Sequence, residues 1–248
     1  MPKFFVPRDK ITENQIIIDS EDVTHISRVL RLNKGDAITV CDGGGTDYDA
    51  EIVQMEQKRI ICAVKDKRKS DSEPNIEVTL FQGLPKASKM EYIIQKTTEL
   101  GICEITPVKL NRCVVRIDNK KDEKKKLERW QKISESAAKQ SGRGVIPQIT
   151  EIMTLDEVIE KSKEFDLFFV PYECEEQKTL KEVLLAKPNV KKVGFVIGPE
   201  GGFDMAETEK LRANGIETVT LGRRILRTET AGEAVLAMTM YEIGDINR

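Results

Sequence analysis

The chain has 248 residues, 39% of them hydrophobic and 33% charged, with a formal net charge of −2 at pH 7. That length suits one large domain or two modest ones, and the balance suits a substantial core. No apolar run approaches the roughly 18 residues of a membrane span, and any nucleic-acid partner must be met by a local basic face rather than by global charge.

The opening MPKFFVPRDK lacks the apolar region of a signal peptide, so a cytoplasmic protein is expected. Five cysteines (Cys41, Cys62, Cys103, Cys113, Cys174) are odd in number, widely spaced and without a C-x-x-C pair, which fits reduced thiols. The one histidine, His25, gives no support to a metal centre or a histidine-based triad, and no metal is expected.

Residues 1–70 read as a small β domain. Phe4–Val6, Ile16–Ile18, Ala37–Cys41, Tyr48–Met55 and Arg59–Val64 are strand-like runs, two of them joined through Gly43-Gly44-Gly45 as a hairpin. Glu21–Leu30 carries Val23, Ile26 and Leu30 at helical spacing, with His25 off that stripe as a surface or cap residue. Arg8, Arg28, Arg31 and Lys34 make either a basic patch for RNA or a solvated face balanced by nearby acids. Lys65–Pro74 is charged, aperiodic and ends in proline, which marks a linker.

From residue 71 to 248 strands alternate with helices, the pattern of a mostly parallel, helix-covered sheet. Ile76–Phe81 is a strand, and the helix from Ala87 carries Met90, Ile93, Ile94, Thr97 and Leu100 on one face. A strand follows at Ile102–Leu110. The helix Lys121–Ser141 turns Leu127, Trp130, Ile133 and Ala137 inward. It ends in Gln140-Ser141-Gly142-Arg143-Gly144, where Arg143 is either a cation favoured by the helix dipole or a group reaching an anion. Asp166–Pro171 is a buried-type strand, with short helices at Leu155–Lys161 and Thr179–Leu185.

Val193–Ile197 is another buried strand, broken by Gly198-Pro199-Glu200-Gly201-Gly202. Asp204 with Glu207 opens a helix, Glu217–Leu221 is a strand, and Thr230 with Glu233 reads as the capping box of the last helix. Two strands thus end on one sheet edge, where open α/β sheets bind ligands. The loop LGRRILRTETA holds Arg223, Arg224, Arg227 and Glu229, more charge than a connector needs.

The strings FVIGPEGGF, LGRRILRTETA and AAKQSGR, with VLRLNKGD in the first domain, resemble the small-subunit ribosomal RNA uridine N3-methyltransferases of the SPOUT class. Lys3 and Lys139 depart from the residues common there. The resemblance implies a PUA-like β-barrel for RNA recognition over 1–70 and a trefoil-knotted α/β methyltransferase domain over 71–248. It also implies S-adenosylmethionine as cofactor, a homodimer, and small-subunit rRNA or the assembled 30S subunit as partner. Carried over by motif, the cofactor cradle is Gly198, Gly201, Gly202, Leu221, Ile225 and Leu226, closed by the strand end Val170-Pro171. Uracil N3 must lose a proton to become a nucleophile. Arg227, or Arg143, would stabilise the anion, and Glu229 or Glu200 would accept the proton. Two other classes remain open on the residues alone. One is a non-catalytic RNA-binding protein with a nucleotide site. The other is a dinucleotide enzyme, for which GPEGG lies late and lacks the G-x-G-x-x-G spacing.

Overall fold

Apolar side chains gather into separate cores in the computed structural model, which describes residues 3–115, 117, 119–187 and 189–247. One core belongs to a unit made of Met1–Glu73 and Ala138–Ile146, and the other to a unit made of Pro74–Ala137 and Pro147–Arg248. Among the described residues no helix is long and apolar enough to cross a membrane.

The first unit holds β1 (Lys3–Phe5), β2 (Gln15–Ile18), β3 (Ala37–Cys41), β4 (Thr46–Met55) and β5 (Ile60–Lys69) in one sheet, ordered β1-β3-β4-β5-β2. β1 runs parallel to β3 and the other pairs are antiparallel. Alternate β-branched residues (Ile16, Ile18, Ile38, Val40, Ile52, Ile60) fill the core, as the period-2 pattern requires. Burial pushes the Cys41 thiol up to about 12 and Cys62 to about 11, so both stay protonated.

The structure departs from two local expectations. The stretch read as a linker from Lys65 is strand as far as Lys69, paired with β4 down to Thr46. Its side chains face solvent and meet charges across the sheet, Lys65 with Glu51 and Arg68 with Asp49, so no apolar alternation betrays it. The expected helix at Glu21–Leu30 is a single α-turn, α1 (Asp22–Thr24), followed by a π-turn at His25–Val29. The Leu30 N–H reaches back five residues to the His25 carbonyl. That wider turn rotates Leu30 off the buried stripe to 37% exposure, while Ile26 stays fully buried.

The segment after the long helix completes this unit. Ala138 and Ile146 pack on Phe5 and Cys41, and Gly45 N–H donates to the Gly144 carbonyl at 3.0 Å. Arg143, 3% exposed, donates to both carboxylate oxygens of Glu73 at 3.3 and 2.6 Å. Glu73 Oε1 also accepts from the Gly144 and Val145 N–H groups at 2.6 and 3.0 Å. Four donors thus converge on one carboxylate with little access to water.

The second unit carries β6 (Glu77–Gly83), α2 (Lys89–Glu99), β7 (Glu104–Lys109), α3 (Lys120–Ser141, whose last residues lie in the first unit), β8 (Gln148–Ile149), β9 (Met153–Thr154), α4 (Leu155–Ser162), β10 (Leu167–Pro171), α5 (Leu180–Leu185), β11 (Lys192–Ile197), α6 (Met205–Ala213), β12 (Glu217–Val219) and α7 (Thr228–Glu242). Its sheet has the order β12-β10-β11-β6-β7-β8, every pair parallel, with β9 also on β7. Neighbours along a strand face opposite cores. Leu80, Phe169 and Phe195 pack with α2, α5 and α7 residues, whereas Phe81, Val170 and Val196 pack with those of α4 and α6. A sheet covered on both faces explains the near-continuous apolar runs FFV and GFVI.

Asp204 and Glu207 form the expected capping box of α6. Thr230 and Glu233 do not cap α7. That helix starts three residues earlier, with Arg227 at the N-cap, whose guanidinium has no acceptor to offer the first amide groups, and with Thr228 turned inward to another bond.

Replacing Glu73 with alanine takes an acceptor from a buried guanidinium and two amide groups, a loss of about 3 kcal/mol. Hydrogen exchange should report it as a matching fall in protection of the β3 and β4 amides.

Candidate functional site

Three parallel strands, β10, β11 and β12, end side by side, and the loops after them surround a cavity of about 1010 Å³. The glycine turn Gly198–Phe203 forms one side, Thr220–Thr228 a second, and Pro171–Tyr172 with Glu173, Glu175 and Glu176 a third. This is the carboxyl edge of the sheet, where strand ends expose backbone groups to a ligand.

The glycine turn is shaped by contacts that leave no room for side chains. Gly202 has φ +65 and donates to the Pro199 carbonyl at 2.9 Å. A Cβ there would lie 2.7 Å from Glu173 Oε1, and one on Gly198 would lie 3.2 Å from the Gly202 backbone. The turn is then fixed from three directions. The Arg112 guanidinium donates to the Gly201 carbonyl at 2.8 Å. Asn111 donates through its backbone to Glu207 and through its side chain to Asp204, at 2.7 and 2.6 Å. From the core, the Thr228 hydroxyl donates to the Gly198 carbonyl at 2.6 Å and accepts from Gln82 Nε2 at 2.9 Å.

Of the residues expected in the cradle, Pro171, Gly198, Gly201, Gly202, Leu221, Ile225 and Leu226 line the cavity. Val170 does not. It is 1% exposed, in the core on the α4–α6 face of the sheet. Glu200 and Arg227 line the cavity, and Glu229 stands on the first turn of α7 with its carboxylate 3.2 Å from Lys89 Nζ. Arg143 lies in the first unit, paired with Glu73. Arg8, Arg28, Arg31 and Lys34 are exposed in that unit, and none has an ion-pair partner among the described residues.

Lys89, Gln82, Arg112 and Glu173 were not legible as site residues, since none stands in the glycine turn or the arginine-rich loop, and Thr228, which does stand in that loop, carries no charge to mark it. Lys89 Nζ lies 3.1 Å from Glu200 Oε1, which also accepts from the Lys86 N–H at 3.0 Å. Burial works against ionising Glu200. Its own N–H, the Lys86 N–H and the Lys89 ammonium outweigh that and hold its carboxyl below the usual carboxylate range.

The cavity suits an adenosyl group bearing a cation. Ile225 is 87% exposed and Leu221 is partly buried, so the walls present apolar surface without cover of their own. Glu175 is occupied by Thr218 and Arg212 at 2.6 and 3.2 Å. Glu173 has no hydrogen-bond or ion-pair partner among the described residues and leaves a negative charge at the rim for a sulfonium or ammonium group.

Residues 72–240 match the family described as RNA methyltransferase domain, and residues 18–65 the family described as RNA methyltransferase PUA domain. Among curated proteins, ribosomal RNA small subunit methyltransferase E of Bacillus subtilis (strain 168) is 35% identical over 98% of this chain and 97% of its own. The protein of that name from Mesomycoplasma hyopneumoniae (strain 232) is 31% identical over 93% of this chain and 95% of its own. Among solved structures, a ribosomal RNA small subunit methyltransferase E from Neisseria gonorrhoeae, bound to S-adenosyl methionine, superposes with a TM-score of 0.84 at 30% identity, covering 99% of each chain.

Gly202→Ala should disturb the cradle without unfolding the sheet. A left-handed alanine costs roughly 1–2 kcal/mol, and its methyl would displace Glu173. Calorimetry with S-adenosylmethionine should show affinity reduced about tenfold; unchanged affinity in a folded variant would take the turn out of the site.

Proposed function

This chain belongs to the ribosomal RNA small subunit methyltransferase E family, S-adenosylmethionine-dependent methyltransferases with a PUA domain, and on that premise we propose uridine N3 of small-subunit rRNA as the atom it methylates. The observation that carries the reading is the placement of Arg227. It lines the cavity at the N-terminus of α7, and no described residue pairs with its guanidinium.

When bound, S-adenosylmethionine supplies an electrophilic methyl on a sulfonium sulfur, so the chain's task is position and charge. Uracil N3 is nucleophilic only once its proton has left, and the negative charge then spreads over N3 and the flanking oxygens. Arg227 stays protonated throughout. Together with the positive end of the α7 dipole, it favours an anion at that mouth. The Glu200 and Glu229 carboxylates are the nearby groups able to take the proton. Arg143 is held by Glu73 within the first unit, so the reading gives the charge-stabilising role to Arg227.

The exposed Arg8, Arg28, Arg31 and Lys34 are the proposed phosphate contacts. Structured rRNA, best presented by the assembled subunit, suits such shape-based recognition. A homodimer is proposed from the outer face of α2 and α7. Met238 and Tyr241, one turn apart on α7, are 41% and 60% exposed, and Tyr92 on α2 is 46% exposed.

Mass mapping of small-subunit rRNA treated with enzyme and cofactor should find one added methyl, at uridine N3. Arg227→Ala should lower kcat by about 10²–10³ while cofactor affinity holds; a methyl on any other atom would overturn the reading. Tyr241→Glu should shift sedimentation from dimer to monomer mass, and a monomeric parent chain would remove the dimer.

A further inference from the structure

Glu200 and Glu229 come from different elements, the glycine turn and the last helix, yet one cation joins them. Lys89 Nζ lies 3.1 Å from Glu200 Oε1 and 3.2 Å from Glu229 Oε2. Its side chain is 30% exposed, theirs 25% and 17%, so the cluster sits at the cavity wall and not in bulk solvent. The backbone is bent to place it. Ala87, two residues earlier, takes φ +53, a left-handed conformation that a residue with a Cβ adopts at a cost. The Lys86 N–H, beside that bend, donates to the same Glu200 oxygen.

We propose that Lys89 is a positioning residue for methyl transfer, an ammonium that holds the Glu200 and Glu229 carboxylates together beside the acceptor nucleotide. The proposal rests on the reading above. In the step it serves, the N3–H bond breaks and its proton passes to a carboxylate oxygen. N3 forms a bond to the methyl carbon, and the carbon–sulfur bond breaks with its electron pair on sulfur. A carboxylate that gains the proton loses its attraction for Lys89, but the other retains it, so the ammonium stays in place through the step.

The charged surroundings are mixed. From α2, Lys89, Tyr92, Lys96 and Glu99 face α7; from α7 come Arg227, Glu229 and Glu233, and from the glycine turn Glu200. Arg112 binds the Gly201 carbonyl next to Glu200. Burial raises Glu233, a turn beyond Glu229, although Lys96 opposes it. The bond to Glu200, helped by Glu229 and opposed by partial desolvation, holds Lys89 above the ordinary lysine range, so its charge persists through neutral pH. Removing that charge raises the Glu200 carboxyl. Activity that needs it ionised is lost as pH falls through its pKa, so the acidic limb of the rate profile must move to higher pH.

The test compares the full chain with Lys89→Met and Lys89→Arg, measuring methyl transfer to small ribosomal subunits against pH and S-adenosylmethionine affinity by calorimetry. Lys89→Met should keep cofactor affinity within about twofold, lower kcat about tenfold at pH 6, and shift the acidic limb upward. Lys89→Arg should restore most of both. A Lys89→Met enzyme with the parent kcat and pH profile overturns the proposal, and so does a loss confined to cofactor affinity, which would make Lys89 a cofactor contact. If the parent enzyme methylates an atom other than uridine N3, the reading above falls. The shift of the acidic limb still decides the role of Lys89 on whichever atom is modified.

Discussion

The bond from the Thr228 hydroxyl to the Gly198 carbonyl ties the last helix to the glycine turn, and Gln82 Nε2 backs it from β6. Both side chains are buried, Thr228 at 5% exposure and Gln82 at 0%, where no water competes for the donors. Gln82 spends its second donor on the Gly83 carbonyl at 3.0 Å, so neither side chain is free to swing. Three segments far apart in sequence are thereby set to within a hydrogen bond of one another. The rest of the cradle follows from that: Gly198 sits against Gly202, α7 begins at Thr228, and Arg227 is left at its N-cap, lining the cavity.

The same bond explains why the start of α7 was misread. Thr230 and Glu233 have the spacing of a capping box, but spacing counts only local donors and acceptors. The Gly198 carbonyl, 30 residues away in sequence, claims Thr228 and draws it into the first helical position. Similar reasons separate what could be read from what could not. Buried strands and the α2 stripe were legible because burial imposes a local period, with Met90, Ile93, Ile94 and Thr97 all inside. The far end of β5 was not, because an exposed strand of charges has no apolar period. The π-turn at His25–Val29 left no mark that a 3.6-residue count could detect.

For the site, the glycines and the arginine-rich loop were legible as strings, and all but Val170 among the cradle residues line the cavity. Val170 was expected there because it is next to Pro171. A strand sends neighbours to opposite faces, and Val170 faces the α4–α6 core. Lys89 was invisible for the opposite reason. It lies more than 100 residues before Glu200 and Glu229, and only the fold brings one ammonium to both. Arg143 shows how a charge in a suggestive motif can be absorbed by structure, since Glu73 receives both its guanidinium donors and the N–H groups that follow.

That carboxylate has a consequence for how the polypeptide is made. The first unit draws Ala138, Arg143 and Ile146 from beyond the first half of the chain, and two of these help close an apolar cluster on Phe5 and Cys41. Synthesis runs from the N-terminus, so the five strands emerge from the ribosome well before the segment that finishes them. Until Ile146 has left the exit tunnel, Glu73 lacks its donors and the underside of β1 and β3 lacks its cover. A fragment ending at the apparent boundary near residue 73 would inherit the same defect permanently. The N-terminal unit therefore stays incomplete until residue 146 has emerged, and the nascent chain must carry it unfinished through the translation of α3.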